Sequence, residues 1–321
     1  MENKKQLGKY YTVSNPFTLQ IFQKWFRAVP DISNLTILEP FAGSNNIVKL
    51  MSINNNWECY DIKPTKNLTP KFKIKKRDTI KDFPKGYKIA ITNPPYLAKN
   101  SATRRNMTYQ GDPYDDLYKK CLEQMLANLE YVAAIIPESF ITSGLFRERL
   151  DCVISLTCKM FDDTDCPVCL ALFSPNITQD FEIYRMDNRL GSFSEMAYNM
   201  LIPYNKFSWN MYDPTGEIGL IGIDNTTGPS IKFVEGSIID SSKIKKSSRS
   251  ITRISCNVKI NDLPMFLQIC NNFLNIYRNN TGDIFMTSFK GLRKDGLYRR
   301  RLDFNTAQII MEKVLLTYKG I

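Results

Sequence analysis

Short apolar runs, each the length of a buried strand, recur through residues 35–173, with helical periodicity between them. The runs are residues 35–38, 57–60, 87–91, 131–136 and 168–173. Residues 16–28 carry Phe17, Leu19, Ile21, Phe22, Trp25 and Phe26 at near-helical spacing, and 115–129 carry Leu117, Cys121, Leu122, Met125 and Leu129. The same reading predicts a helix over 140–150 and a strand over 153–158. Strands that alternate with helices in this way form a doubly wound, mostly parallel α/β sheet. Residues 97–113 break the alternation and read as a long, polar, mobile loop. Such sheets put their chemistry at the carboxyl ends of the strands, so the residues just after each run matter most.

After 87–91 comes Asn93-Pro94-Pro95-Tyr96. The two prolines fix two φ angles and remove two amide donors. What remains is a stiff rim of carbonyls, the Asn93 amide and one flat aromatic ring. That combination suits a planar amino group that must be held and made more nucleophilic, such as the exocyclic amine of a nucleobase. After 35–38 comes Glu39-Pro40-Phe41-Ala42-Gly43, then the start of a helix at Ile47. A strand, a small-residue turn and a helix form the entry to a nucleotide-type site. Gly43 allows close backbone approach, and the helix start aims amides at a ligand. Asp61 ends the next run, where a ribose hydroxyl pair is bound in such folds. Asp78 follows a basic stretch at the third strand end, with Thr79 beside it, and could accept from an adenine amine.

The chain has 321 residues and a formal net charge of +11, spread over both halves, which suits a polyanionic partner. It contains no histidine. That excludes His-based general bases, Ser-His-Asp triads and His-containing zinc sites. Of the eight cysteines only Cys166 and Cys169 have metal or redox spacing. They lack a second pair and run into an apolar strand, so no metal site is expected. Free thiols fit a reducing cytoplasm. The first residues do not read as a signal peptide, and no apolar run approaches spanning length. We expect a cytoplasmic monomer with no membrane contact.

Beyond Pro175 turn signals become frequent, which implies a second, partly β domain. The expected division is 1–178 and 179–321. Helices are expected over 263–277 and 304–318. Two basic clusters stand out here: Lys243, Lys245, Lys246 and Arg249, then Arg293, Arg299 and Arg300. With Lys99, Arg104 and Arg105 of the polar loop, they are the candidate phosphate contacts.

The order of these features resembles the γ-class of DNA adenine-N6 methyltransferases. Gly8-Lys9-Tyr10-Tyr11-Thr12 is similar to that family's opening segment, residues 39–43 to its cofactor turn, and Asn93 to Tyr96 to its catalytic tetrapeptide. The resemblance covers roughly the first 175 residues. It implies a class I methyltransferase-like domain that uses S-adenosylmethionine, followed by a smaller target-recognition domain. Tyr11, Thr12, Glu39, Phe41, Ala42, Gly43, Asp61, Asp78, Thr79 and Asn93 would line the cofactor site. Asn93 and Pro94 would hold the amine of an adenine flipped out of duplex DNA. Tyr96 would stack on the base, with Phe161 as a second aromatic wall. The resemblance also implies the modification part of a restriction-modification system, with a separate cognate endonuclease as a further partner. RNA adenine and protein-glutamine methyltransferases share the tetrapeptide, and an idle DNA-binding subunit would share the fold. The extra mass after the catalytic part and the intact Asn93 to Tyr96 favour a DNA enzyme.

Overall fold

The computed structural model describes residues 10–64, 72–157, 159–162, 164, 166–198, 203, 205–246 and 248–317. The chain divides into two compact units, Met1–Arg189 and Leu190–Ile321.

The first unit carries eight strands of a nine-stranded sheet, whose ninth strand starts at Asn188 and runs past Arg189. The sheet's strands are β1 (Ile37–Glu39), β2 (Trp57–Asp61), β3 (Ile74–Lys76), β4 (Ile89–Thr92), β5 (Tyr131–Pro137), β6 (Leu150–Leu156), β7 (Val168–Phe173), β8 (Glu182–Arg185) and β9 (Asn188–Ser192). They lie in the order β3-β2-β1-β4-β5-β7-β6-β8-β9. β3, β2, β1, β4 and β5 are parallel, and β7 runs antiparallel between β5 and β6. The central strands are apolar along their whole length because helices and turns cover both faces. Every residue of β4 and β7 is buried. The helices are α1 (Gln20–Arg27), α2 (Asn46–Met51), α3 (Lys99–Arg104) and α4 (Leu117–Asn128). The chain leaves β1 toward β2 and β3, then returns to start β4 on β1's other side. The carboxyl ends of β1 and β4 therefore flank a topological switch point, the place where open α/β sheets bind ligands.

Three expectations need correction. No helix forms over 140–150. Two short 3-10 turns, Glu138–Thr142 and Arg147–Arg149, flank Gly144 at φ 76° and Phe146 at φ 55°. Two left-handed residues so close together stop a helix from propagating. β6 instead begins at Leu150 and ends at Leu156, while Cys158 lies outside the described residues. The 97–113 segment is not loop throughout. It carries α3, and its ends are tied by Leu117 N to Leu97 O (3.1 Å) and Lys99 N to Asp115 O (2.8 Å). The first unit also runs past Thr178 to Arg189, because β8 pairs in parallel with β6 at the sheet's far edge.

The second unit holds α5 (Phe193–Tyr198) and a four-stranded antiparallel sheet. That sheet is β10 (Trp209–Asn210), β11 (Ile218–Ile221), β12 (Lys232–Glu235) and β13 (Ile251–Cys256), in the order β10-β13-β11-β12. Two helices pack on it, α6 (Leu263–Thr281) and α7 (Phe304–Thr317). Leu220, Phe233 and Ile254 meet Phe266, Cys270 and Leu274 of α6 and Ile310, Met311 and Val314 of α7 in one core. α6 starts with Asp262 capping Met265 N at 3.0 Å and ends at Gly282 in the left-handed region, φ 58°. The expected end of α7 at Tyr318 lies outside the described residues. A separate antiparallel ribbon is formed by β14 (Thr287–Leu292) and β15 (Tyr298–Arg301).

Candidate active site

Glu39 is the last residue of β1, and Asn93 follows the last residue of β4. Both therefore arrive at the switch point on adjacent strands. Glu39 is fully buried, and its Oε1 accepts from Thr92 Oγ1 at 2.5 Å and Phe41 N at 3.0 Å. Burial raises its pKa to about 8, helped by the charge of Asp61, although the two hydrogen bonds oppose the rise. A carboxyl so placed is ready to ionise against a cation.

Asp61 closes β2, next to β1. Its Oδ2 accepts from Gly43 N at 3.0 Å and its Oδ1 from Lys63 N at 2.7 Å. The turn after β1 is thus folded onto Asp61. The amide expected to face a ligand at the helix start is directed to this carboxylate instead. Gly43 sits at φ 53°, and a Cβ there would stand 2.9 Å from Tyr11 Cε1. Only glycine fits both the backbone and that gap. Ala42 N donates to Tyr60 O at 2.8 Å, which ties the turn to β2. Thr79 Oγ1 donates to Pro40 O at 3.0 Å from the other side, so Thr79 braces the turn. Asp78 lies half-buried beside it.

The tetrapeptide is held just as firmly. Asn93 Nδ2 donates to Tyr10 O at 2.8 Å and Thr12 Oγ1 at 3.3 Å. The Tyr96 hydroxyl lies 2.6 Å from both Asn93 Oδ1 and Ile135 O. These bonds orient the Asn93 amide, with its oxygen toward Tyr96 and its nitrogen toward the amino-terminal segment. That segment is itself pinned: Val13 N donates to Met160 O at 2.9 Å, and Asn46 Nδ2 donates to Thr12 O at 2.9 Å.

One cavity of about 220 Å³ joins these groups. Of the sequence-selected residues, Tyr11, Thr12, Glu39, Phe41, Ala42, Gly43, Asp61, Asp78, Thr79, Asn93 and Pro94 line it. Tyr96 and Phe161 do not. They are 8% and 1% exposed, and their rings stand edge-on at 73° with centroids 6.1 Å apart. Sequence reasoning gave no role to Tyr10, Ile62, Met107 or Gln110, which also line the cavity. Ile62 was legible as the apolar residue after a strand-end carboxylate. Met107 and Gln110 had no signal beyond their place in the polar segment. Gly8 and Lys9 lie outside the described residues.

The basic candidates separate into two kinds. Lys99, Arg104 and Arg105 on or beside α3, and Lys243, Lys245, Lys246 and Arg249, are exposed. Lys99 pairs with Asp112 at 2.6 Å. Arg293 and Arg300 are buried, contrary to a role as phosphate contacts. Asp224, fully buried, accepts from both terminal nitrogens of Arg278 at 2.8 Å, from Arg293 Nη1 at 3.1 Å and from the Arg300 amide at 3.3 Å. These arginines brace the β14–β15 ribbon from inside. Arg299 remains near the surface, its guanidinium 4.8 Å from the centre of the Phe289 ring.

Among the described residues the seven cysteines are free thiols, and Cys169 is buried within β7. Among the described residues, no group of three or more Cys, Asp or Glu side chains is arranged to hold a metal ion. Among the same residues no helix is long and apolar enough to cross a membrane.

The order β3-β2-β1-β4-β5-β7-β6 with β7 antiparallel, and acidic residues at the ends of β1 and β2 and after β3, defines a class I methyltransferase fold. The model of the Eco57I restriction-modification methylase family matches residues 15–155. No curated protein matches the chain significantly. Among solved structures, it is similar to a type I restriction-modification methyltransferase subunit from Streptococcus thermophilus. There the identity is 14% and the TM-score 0.40, over 54% of this chain and 47% of that one. The type IIG restriction endonuclease BpuSI matches at 14% identity and TM-score 0.39, over 55% of this chain and 27% of that one. A Pyrococcus horikoshii protein proposed to be an RNA methyltransferase matches at 16% identity and TM-score 0.40, over 55% and 91%. The chain thus spans less than half the length of the two restriction-modification proteins.

Proposed function

We propose that this chain is a DNA methyltransferase that transfers a methyl group from S-adenosylmethionine to the N6 amine of a flipped adenine, as the modification part of a restriction-modification system. The observation that carries the proposal is the Asn93-Pro94 rim facing Glu39 and Asp61 across one cavity.

The cavity's donor set suits the cofactor. Glu39, buried and with no cation paired to it among the described residues, matches the positive methionine end. Asp61, at the end of β2 and on the cavity wall, is placed to accept from a ribose diol. Asp78 can accept from an adenine amine, and Ile62 offers an exposed apolar face to its ring. When bound, S-adenosylmethionine supplies a methyl group activated on a sulfonium.

The rest is performed by the protein's own residues. An adenine in a duplex must leave the stack to reach the cavity. The Asn93 side-chain oxygen and the Pro94 carbonyl accept the two amine hydrogens and draw the nitrogen lone pair out of ring conjugation. The amine so held would be the nucleophile toward that methyl group, and one of its protons would leave to water. Tyr96 stacks on the base. No covalent intermediate and no histidine are needed. Positioning and electrostatics carry the catalysis. The second unit contacts DNA through Lys243, Lys245, Lys246, Arg249 and Arg299, and the α3 region through Lys99, Arg104 and Arg105.

Single-turnover transfer of labelled methyl to duplex DNA, followed by digestion to nucleosides, tests the proposal. Label is expected on adenine N6. Label on cytosine, on RNA alone or on a protein glutamine would overturn the adenine reading. No transfer to any acceptor would indicate an idle subunit.

A further inference from the structure

We infer that Tyr10 is a wall of the target-base slot, stacking on the base face opposite Tyr96. This rests on the adenine reading above and assigns a substrate contact to a residue outside the tetrapeptide.

Three rings meet beside Asn93. Tyr10 lies 5.7 Å from Tyr96 at 31°, and 5.8 Å from Phe161 at 44°. Tyr96 and Phe161 stand at 73°. A base sandwiched between two rings needs them near parallel, with faces about 7 Å apart, twice a carbon contact of about 3.5 Å. Tyr10 and Tyr96 are the pair closest to parallel. Separating their centroids by little more than an ångström admits a base. Tyr96 and Phe161 would require a large ring rotation inside a buried cluster, where side chains are close-packed. Tyr10 also borders the cavity, whereas Phe161 does not. Phe161 instead backs Tyr10, and its backbone pairs with Thr12 in an isolated bridge.

The backbone supplies a second link. The Tyr10 carbonyl accepts from Asn93 Nδ2 at 2.8 Å. The residue that holds the amine and the residue that would cover the base are therefore positioned by one hydrogen bond. In the structure Tyr10 rests against Tyr96 and closes the slot between the two rings. An incoming adenine replaces this ring-on-ring contact with two ring-on-base contacts.

The test uses the full chain and duplexes containing its methylation site, found by modified-base sequencing of DNA from expressing cells. The target adenine is replaced by 2-aminopurine to report unstacking, or by 5-iodouracil to photo-crosslink the stacked residue. Tyr10→Phe should keep flipping and methylation near the parent's, because the ring face is retained. Tyr10→Ala should raise KM for DNA and weaken flipped-base binding about tenfold, the loss expected for one aromatic stack. Crosslinked peptides should include Tyr10. Unchanged or tighter binding by Tyr10→Ala would overturn the inference, since a plug that merely occupies the slot gives that result. Crosslinks confined to Tyr96 and Phe161 would overturn it too. Absence of adenine methylation by the parent enzyme removes the adenine reading itself, and the inference with it. A Tyr10 failure with an active parent removes only the inference.

Discussion

Glu39 has the strongest pH signature in the proposed active site. Its folded pKa of about 8 lies above the ordinary 4.5, so the folded protein holds a proton that the unfolded chain releases. Its contribution to stability is complete below pH 4.5 and is lost as pH rises through about 8. Ligand binding has the opposite slope. A cationic cofactor end beside Glu39 favours the ionised form, so binding should release a proton at pH 7 and tighten up to about pH 8. Calorimetry in buffers of different ionisation enthalpy measures that proton, and Glu39→Gln should abolish it. A parent protein that binds with no proton release at pH 7 would remove Glu39 from the cation's neighbourhood. Asn93 makes a separate prediction. Asn93→Ala should leave cofactor affinity near the parent's and abolish methyl transfer, measured by single-turnover label incorporation. Tyr96→Phe deletes one hydrogen bond to the Asn93 oxygen but keeps the ring, and the Nδ2 bonds still orient Asn93. It should lose less than about tenfold in rate, the weight of one neutral hydrogen bond of about 0.5–1.5 kcal/mol. Much of this site was legible because strand-end residues follow apolar runs at fixed positions. Tyr10 was not, because a ring's neighbours depend on how the amino-terminal segment crosses strands distant in sequence.

The β14–β15 ribbon shows what a charge pattern conceals. Residues 293–301 contain Arg293, Arg299, Arg300 and Arg301, which in sequence form one basic cluster. Folding gives them different work, because Asp224, far away in sequence, draws Arg293 and the Arg300 backbone inward. Burial alone would raise the Asp224 pKa, yet the Arg278 hydrogen bonds and charge and the amide donors hold it below the usual carboxylate range. Deleting Arg293 leaves Asp224 its Arg278 pair but removes a charge-assisted hydrogen bond, worth about 1.5–3 kcal/mol. Arg293→Ala should therefore lower unfolding stability by that amount in urea titration. Arg299→Ala should cost less than about 1.5 kcal/mol, since it removes one hydrogen bond to the Asp224 carbonyl and a half-exposed contact with Phe289. Equal destabilisation by the two substitutions would contradict this division between brace and surface. The missing helix over 140–150 has a related cause. Its apolar spacing was real, but two left-handed backbone positions, one of them at a phenylalanine, are invisible to a periodicity argument.

At the scale of the molecule the formal charge of +11 does not say which cations a polyanion can meet. Arg278 and Arg293 are committed to buried carboxylates, and Arg149 is folded onto the carbonyls of Leu126, Leu129, Glu130 and Ser174. The field that DNA would feel comes from exposed side chains, chiefly the lysines. Lys243 and Lys245 line a shallow surface hollow with Ser242, Ser248 and Ser250. Lysine charges suit phosphate oxygens without reading sequence. Each lysine that meets a phosphate releases condensed counterions, so the logarithm of affinity should fall linearly with the logarithm of salt concentration. Replacing Lys243, Lys245 and Lys246 together with alanine should weaken binding uniformly across DNA sequences. It should also flatten the salt slope by about one unit for each lysine that neutralises a phosphate in the parent complex. Stability should hardly change, because these side chains are exposed and the ion pair of Lys243 with Asp240 at 3.8 Å is on the surface. Titrations of parent and variant at several salt concentrations, on a site-containing and a scrambled duplex, separate the outcomes. An unchanged slope would mean this loop faces only solvent. A loss confined to the site-containing duplex would mean it reads bases rather than phosphates.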